Sequence, residues 1–416
     1  LMIPPVAGIV TNEFQTPLSH VNMLAQSRNL PDAALRGVWN NARWKKLEGT
    51  LVKLHVTNDS VWVESTNEIM LPNKKKQELK LSPDITENRL ADVKYLRIRS
   101  IDAYGGKASN MGELHRIKLK GMNLPEGAFG IPLYYYYRHA RNCGSAKLVD
   151  SLLKDTSILN SREKTAAMLA VIRMQIRKFP VAKDLLDSIT VRLKKYPQYN
   201  YFRFRSSTNA EDIAGFNGAG LYDSYSASVT DTAKKIENAI RKTWASLWNQ
   251  RAFEERTVYG INHRDVGMGV LVHRAFGTEA ANGVAITANI YRSGYPSFII
   301  NSQHGEASVV SPEPGQQCEQ LILNHKVLEI TIDEISIDYI SRSSLNNGDA
   351  VLTREQLFEL ARCLFAIKEH FYFRTRYGRK FKGFLQFAMD VEFKIDSATG
   401  KLYIKQARPL EIKNEE

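Results

Sequence analysis

The end of the chain leaves the fewest structural options open. Leu385 to Phe393 and Lys401 to Gln406 alternate with the period of a strand, and Asp396-Ser397-Ala398-Thr399-Gly400 between them has the composition of a turn. The pair reads as a terminal hairpin. Asp390 and Glu392 are two residues apart, so both carboxylates project from one face, and Gln406 and Arg408 do the same on the facing strand. Two carboxylates opposite an amide and a guanidinium suit Mg²⁺ bridging phosphate oxygens. A cross-strand salt bridge between Glu392 and Arg408 is the plain alternative, and it would leave one carboxylate over.

Three earlier stretches also concern phosphate. In Gly105-Gly106-Lys107-Ala108-Ser109-Asn110 two glycines allow a tight turn, and Lys107 offers a point charge at a helix start. The P-loop spacing is absent, and an ordinary turn explains the residues as well. Phe202-Arg203-Phe204-Arg205-Ser206-Ser207 alternates apolar and basic residues, which puts Arg203 and Arg205 on one face of a strand. Either arginine could face a nucleotide or solvent. Glu211 to Ser224 carries Gly215, Gly218 and Gly220, a loop whose N–H groups could wrap a polyphosphate or simply cross the surface.

Near the start, Val6-Ala7-Gly8-Ile9-Val10-Thr11 reads as a buried strand, Pro17 and Ser19 mark a turn, and Val21 to Arg28 reads as a helix. His20 falls at the start of that helix, where free N–H groups and the dipole favour an anion. Imidazole is also a competent nucleophile near neutral pH. A capping or core histidine is the alternative.

A length of 416 residues implies two or three domains. Residues 1–71 form a small first unit, with strands at Leu51–Val56 and Val61–Glu64 around Asn58-Asp59. Residues 72–92, polar and lysine-rich with Pro72 and Pro83, read as a linker. Residues 93–416 read as one α/β unit with lobes of about 93–265 and 266–416. Thr230 or Asp231 is expected to cap a long helix through Phe253, Thr353 to Gln356 fits a capping box, and Tyr134 to Tyr137 reads as a half-buried helix face.

No apolar run approaches the roughly 18 residues of a membrane span, and no secretory signal is visible. The chain begins with Leu, so an upstream portion is expected. Cys143, Cys318 and Cys363 form no C-x-x-C pair, which argues against structural zinc and for a reducing, cytoplasmic setting. The formal charge of +13 admits nucleic acid, an anionic surface or a polyphosphate ligand, or cations simply scattered over solvated faces, and no nucleic-acid signature accompanies it. Oligomeric state stays open, a dimer included.

Taken in order, these stretches resemble the pyruvate phosphate dikinase, phosphoenolpyruvate synthase and water dikinase superfamily. The resemblance rests on Gly105-Gly106-Lys107, Arg205-Ser206-Ser207, the glycine loop, Gly283-Val284-Ala285, Asp390-x-Glu392 and Gln406-x-Arg408-Pro409, together with Leu18-Ser19-His20-Val21. It implies an ATP-grasp nucleotide-binding domain in two lobes, preceded by a partial swivelling β/β/α phosphohistidine domain. Lys107, Arg205 and the loop glycines Gly218 and Gly220 would hold ATP. Glu392 and Gln406, with Asp390, would hold Mg²⁺ and phosphate. Arg408 would stabilise the transferring charge, and His20 would accept the β-phosphoryl group with release of AMP and phosphate. The acceptor is unidentified. The glycine loop and the order of the two domains look most like α-glucan water dikinases, which makes a glucan or other hydroxyl compound the expectation and pyruvate a poor one. The chain departs from the pattern at Leu18, where threonine is usual, and at Asn301-Ser302-Gln303-His304-Gly305-Glu306, where Gly-x-Gly-Glu is usual. A phosphoenolpyruvate synthase-like fragment, an ATP-grasp kinase or ligase that does not use His20, and a non-catalytic nucleotide- or polyanion-binding module are the competing readings.

Overall fold

The computed structural model describes residues 6–13, 19, 21–22, 25, 28, 30–57, 59–68, 80–211, 216, 218, 220–310, 312–313, 315–326, 333–380 and 383–410. His20 lies outside them. The chain divides into two compact units, Leu1–Glu78 and Leu79–Glu416.

In the first unit β1 (Ile9–Thr11) runs parallel to β2 (Asp32–Ala34). Parallel neighbours need a crossover, and the described residues between them, Val21, Asn22, Ala25 and Arg28, are helical. Ser19 Oγ accepts from the Asn22 N–H at 3.2 Å, which makes Ser19 the capping residue of that helix. Ile9, Val21 and Ala25 form the core of this layer. The expected second pair is an antiparallel hairpin, β3 (Val52–Val56) with β4 (Val61–Ser65).

The second unit is mixed α/β and contains two sheets. The five-stranded sheet comprises β5 (Ala91–Asp92), β6 (Phe129–Ile131), β7 (Phe202–Thr208), β8 (Tyr225–Ala227) and β9 (Met268–Arg274), in spatial order β5-β6-β9-β7-β8. It draws β9 from beyond the boundary expected at 265. Residues 80–92 also behave differently from a free tether: Leu81 and Leu90 pack on the core of this unit. The six-stranded sheet comprises β10 (Glu279–Ile286), β11 (Ser297–His304), β12 (Glu319–Asn324), β13 (Ser336–Ser341), β14 (Ala388–Asp396) and β15 (Leu402–Leu410), in spatial order β13-β12-β11-β10-β14-β15.

The helices of this unit include α1 (Gly106–Leu114), α2 (Leu133–Asn142), α3 (Arg162–Lys178), α4 (Ile236–Ala245), α5 (Gln250–Val258) and α6 (Arg354–Arg374). Helix α6 opens with the expected capping box of Thr353 and Gln356. It buries Leu357, Leu360, Leu364, Ile367 and Phe371 against Phe298, Ile300, Val391, Phe393 and Ile404 of the six-stranded sheet. Each such side chain contributes about 1.5–3 kcal/mol. In α2, Tyr136 is buried and Tyr134, Tyr135 and Tyr137 are half-buried.

The long helix expected after Asp231 is broken. Asp231 spends its carboxylate on the Ala233 N–H and the Tyr201 hydroxyl, so the chain turns there and α4 starts only at Ile236. At its far end Asn249 is extended and donates to Leu221 O and Asp223, which separates α4 from α5. Among the described residues no helix is long and apolar enough to cross a membrane.

Candidate functional site

One face of the six-stranded sheet packs on α6; the other carries the charged residues of the terminal hairpin. Asp390 faces Arg408 and Glu392 faces Gln406 across β14 and β15. The row continues through Val284 on β10, Asn301 on β11 and Gln320 on β12, each directly opposite the last. After Gln406 the register slips by one residue, and this bulge releases Lys405 from the alternation. Lys405 Nζ lies 3.7 Å from Glu392.

The five-stranded sheet meets this face at Arg205. Its Nη2 donates to Glu392 Oε2 at 2.9 Å and to Gln406 Oε1 at 2.7 Å, and its Nη1 donates to Lys405 O at 3.1 Å. Burial alone would raise the Glu392 pKa, but Arg205, Lys405, Arg408 and Lys107 outweigh it and hold the carboxyl well below the usual range. Glu392 is therefore an anion inside a ring of four cations.

The Gly-Gly-Lys turn reaches the same place because it is sewn to β7. Ser207 Oγ donates to Tyr104 O at 2.8 Å and accepts from the Ala108 N–H at 3.0 Å. Gly105 has φ +79°, and a Cβ there would lie 1.9 Å from Ser207 O, so only glycine fits. The next turn then sets Lys107 Nζ 3.3 Å from Ser206 Oγ and in an ion pair with Glu211. Glu211 is itself fixed by the Thr208 N–H at 3.1 Å. In the glycine loop Gly218 is buried beside Glu211, where a Cβ would meet Glu211 Cγ at 2.8 Å. Gly220 takes the left-handed φ of +65°. Residues 212–215, 217 and 219 lie outside the described residues. The far side of the loop is held by Arg251, which donates to Leu221 O and pairs with Asp223, and by Arg256, which donates to the Tyr222 hydroxyl.

Lys107, Arg205, Glu392, Gln406, Asp390 and Arg408 thus converge. The hairpin salt bridge differs from the one the sequence offered. Arg408 pairs with Asp390 through Nε and Nη2, at 2.9 and 2.6 Å, while Glu392 turns to Arg205, so neither carboxylate lacks a cation. Residues directly opposite on a hairpin meet before diagonal ones do. Segment 301–306 is more regular than its composition suggested: β11 runs to His304, Asn301, Ser302 and Gln303 are buried, and Glu306 is exposed. Asn301 Oδ1 accepts from Gln320 Nε2 at 2.9 Å, and Gln320 accepts from the Tyr291 hydroxyl at 3.2 Å.

Sequence reasoning missed Ser207, Glu211, Lys405 and His273. Ser207 and Glu211 lay inside quoted motifs but drew no role. Lys405 faces the site only because of the bulge, which no residue announces. His273, at the end of the apolar strand Met268-Gly269-Val270-Leu271-Val272, was detectable as a polar residue where the pattern wanted an apolar one.

The residues fit a magnesium ion shared with phosphate. Asp390 Oδ1 is buried without a hydrogen-bond partner among the described residues, the kind of oxygen a cation satisfies. Among the described residues no group of three or more His, Cys, Asp and Glu could hold a metal alone. Mg²⁺ takes one or two carboxylates and completes its shell with water and phosphate.

Lysine and arginine set against paired carboxylates, in a mixed α/β unit, are groups suited to nucleotide phosphate. Residues 101–416 match the family described as "Pyruvate phosphate dikinase, AMP/ATP-binding domain", and the chain belongs to that family. Its architecture is consistent with a domain of the ATP-grasp type. It is 27% identical over 336 residues to a probable phosphoenolpyruvate synthase of Archaeoglobus fulgidus, covering 77% of this chain and 41% of that protein. It is 26% identical over 318 residues to a rifampicin phosphotransferase of Bacillus subtilis strain 168, covering 74% and 34%. A rifampicin phosphotransferase of a Streptomyces species is 29% identical over 201 residues, covering 48% and 22%. The matched part of the chain thus spans from about a fifth to two fifths of these relatives' lengths.

Proposed function

We propose that the chain is an ATP-dependent dikinase-type phosphotransferase. Mg-ATP lies between the two sheets with its phosphates over the hairpin. The β-phosphoryl group passes to His20, with AMP as the nucleotide product, and water takes up the γ-phosphoryl group as phosphate. Phospho-His20 then hands its phosphoryl group to an acceptor hydroxyl and is restored. The observation that carries this reading is the convergence of Lys107 and Arg205 on Glu392 and Gln406, with Arg408 beside them.

Lys107 and Arg205 bind phosphate oxygens by exchanging their carboxylate partners for the ligand. Arg205 also fixes the Gln406 amide, so that its position is set before nucleotide arrives. Arg408, whose Nε and Nη2 both donate to Asp390 Oδ2, is oriented toward charge that develops on transfer. Asp390, Glu392 and Gln406 would hold Mg²⁺, which neutralises charge on the phosphate oxygens when bound. Strands are about 4.8 Å apart, so a nucleoside extending from β14 toward β12 spans about 14 Å. That distance brings its sugar and base over Asn301 and Gln320, with Val284, Ile286 and Ile299 beneath.

The relatives' names set one class of acceptor beside another, phosphoenolpyruvate synthesis beside phosphorylation of rifampicin. A hydroxyl-bearing organic compound, a glucan included, is the acceptor class proposed here. Chromatography of nucleotides after incubation with Mg-ATP tests the scheme. AMP and phosphate are expected in equal amounts, dependent on His20. ADP as the product in a His20→Ala variant as well as in wild type would replace this scheme with that of a simple kinase.

A further inference from the structure

Lys107 and Arg205 both turn from a carboxylate to phosphate, and they leave different things behind. When Arg205 turns, Glu392 keeps Lys405 at 3.7 Å. When Lys107 turns, Glu211 keeps no ion-pair partner among the described residues, and it is only 2% exposed. A buried carboxylate stripped of its cation is costly, so the exchange at Lys107 needs a second source of positive charge.

Glu211 is tied to one. The Thr208 N–H donates to Glu211 Oε2 at 3.1 Å, and the Thr208 hydroxyl accepts from the Glu211 N–H at 2.9 Å. The Thr208 side chain also reaches the hydroxyl of Tyr222. That hydroxyl in turn accepts from Arg256 Nη1 of α5 at 3.3 Å. Burial raises the Tyr222 pKa first; Arg256 then lowers it and Glu211 raises it, so a neutral hydroxyl stands between two opposite charges.

Arg256 has no exposed surface, and among the described residues no carboxylate forms an ion pair with it. Its Nε donates to His263 Nδ1 at 3.1 Å, which makes that nitrogen the acceptor and puts the ring proton on Nε2, 3.1 Å from the Thr257 hydroxyl. Burial first, then Arg256 and Arg264, holds the His263 pKa far below its usual range, so this partner is neutral too. The Trp248 ring lies 5.5 Å from the guanidinium carbon, and Nη2 is buried without a hydrogen-bond partner among the described residues. A guanidinium enclosed by neutral groups is as costly as a bare carboxylate, and the two costs cancel if each charge offsets the other.

We propose that Arg256, acting through Tyr222 and Thr208, is the positioning residue that holds Glu211 in place as an anion while Lys107 leaves it for the nucleotide's phosphates. This role rests on the dikinase reading, in which Lys107 binds phosphate. Before the exchange, Lys107, Glu211 and Arg256 together carry one positive charge in excess. Afterwards Lys107 is matched by phosphate and Glu211 by Arg256, so every charge has a counterpart. Glu211 then neither takes up a proton nor follows Lys107. Gly218, which packs on Glu211 so closely that a Cβ would meet its Cγ at 2.8 Å, keeps its place in the glycine loop. A merely structural Arg256 would serve Trp248 and His263 alone and would be indifferent to the charge on Glu211.

The test is a double-mutant cycle on the full chain, read by calorimetric titration with the magnesium complex of the β,γ-imido analogue of ATP. Arg256→Gln should weaken the analogue about tenfold or more. In a Glu211→Gln background, where there is no charge to offset, the same change should cost less than about twofold. Tyr222→Phe removes only the connecting hydroxyl and keeps the ring in its packing. It should weaken the analogue about threefold in the wild type and by no measurable amount beside Glu211→Gln, and it carries the test if the buried Arg256→Gln change prevents folding. Equal losses with and without the Glu211 charge would make Arg256 and Tyr222 structural and overturn the proposal, while leaving the nucleotide reading in place. A wild-type chain that binds no analogue would instead remove the nucleotide reading, and the role of Arg256 with it.

Discussion

Strands β7 and β14 carry their charges in the same way and satisfy them differently. Each places charged residues two apart on one face, Arg203 and Arg205 on β7, Asp390 and Glu392 on β14. On the hairpin, charge is largely settled within the element, since Arg408 of β15 closes on Asp390 of β14. The cations of β7 have no such neighbour in their own sheet. Arg205 finds its carboxylate on the other sheet, and Arg203 finds none among the described residues. The hairpin is thus organised before any ligand arrives, whereas β7 waits for negative charge. The carboxylate side should govern the rate of transfer and the cation side the affinity for phosphate.

The largest effect that would break this contrast is at Glu392. Glu392→Gln keeps the shape and removes the charge that Arg205 and Lys405 share. It should lower kcat for ATP consumption by about a thousandfold, as expected when a charge that orders transition-state groups is lost. A change confined to KM would erase the distinction between the two sides. Lys107→Met comes next. Losing one charge-assisted bond to phosphate, about 1.5–3 kcal/mol, should raise KM for ATP about ten- to a hundredfold with kcat nearly kept, as initial rates would show.

The pH dependence of phosphate affinity sharpens the same contrast. Lys405 faces Glu392 and Lys394 on β14, Arg203 and Arg205 on β7, and His273 on β9. Its pKa is lowered, so the charged form is lost as pH rises through about 8. Affinity for the ATP phosphates should therefore be greatest just below that value and fall several-fold above it, a fall that Lys405→Gln removes. The smallest effect belongs away from the site. Glu113 on α1 accepts from the Ile98 N–H at 3.1 Å and meets His370 Nε2 of α6 at 2.9 Å. His370→Ala should cost about 1–2 kcal/mol in a denaturant melt and leave KM for ATP unchanged.

Much of the site was legible because its residues obey local rules. Asp390 and Glu392 had to share a face, and so did Gln406 and Arg408, because strand periodicity admits nothing else. Gly105 announced a backbone position, and the structure supplies the reason in Ser207 O. The pairing of those charges was not legible, because it depends on which residue stands opposite which. Arg408 settles on Asp390 through a register that composition does not encode. Lys405 enters the site through a bulge. The break between α4 and α5 follows from Asn249 holding the chain around Leu221 and Asp223, a tertiary contact that overrides an apolar helical period. His20 was legible only as a residue type after a capping serine, Ser19.

Incubation of the chain with ATP labelled in its β-phosphate, followed by mapping of the labelled peptide, tests the phosphohistidine route most directly. Acid-labile label on His20, with AMP as the nucleotide released, is the result that route requires. ATP consumed while His20 stays unlabelled would contradict it.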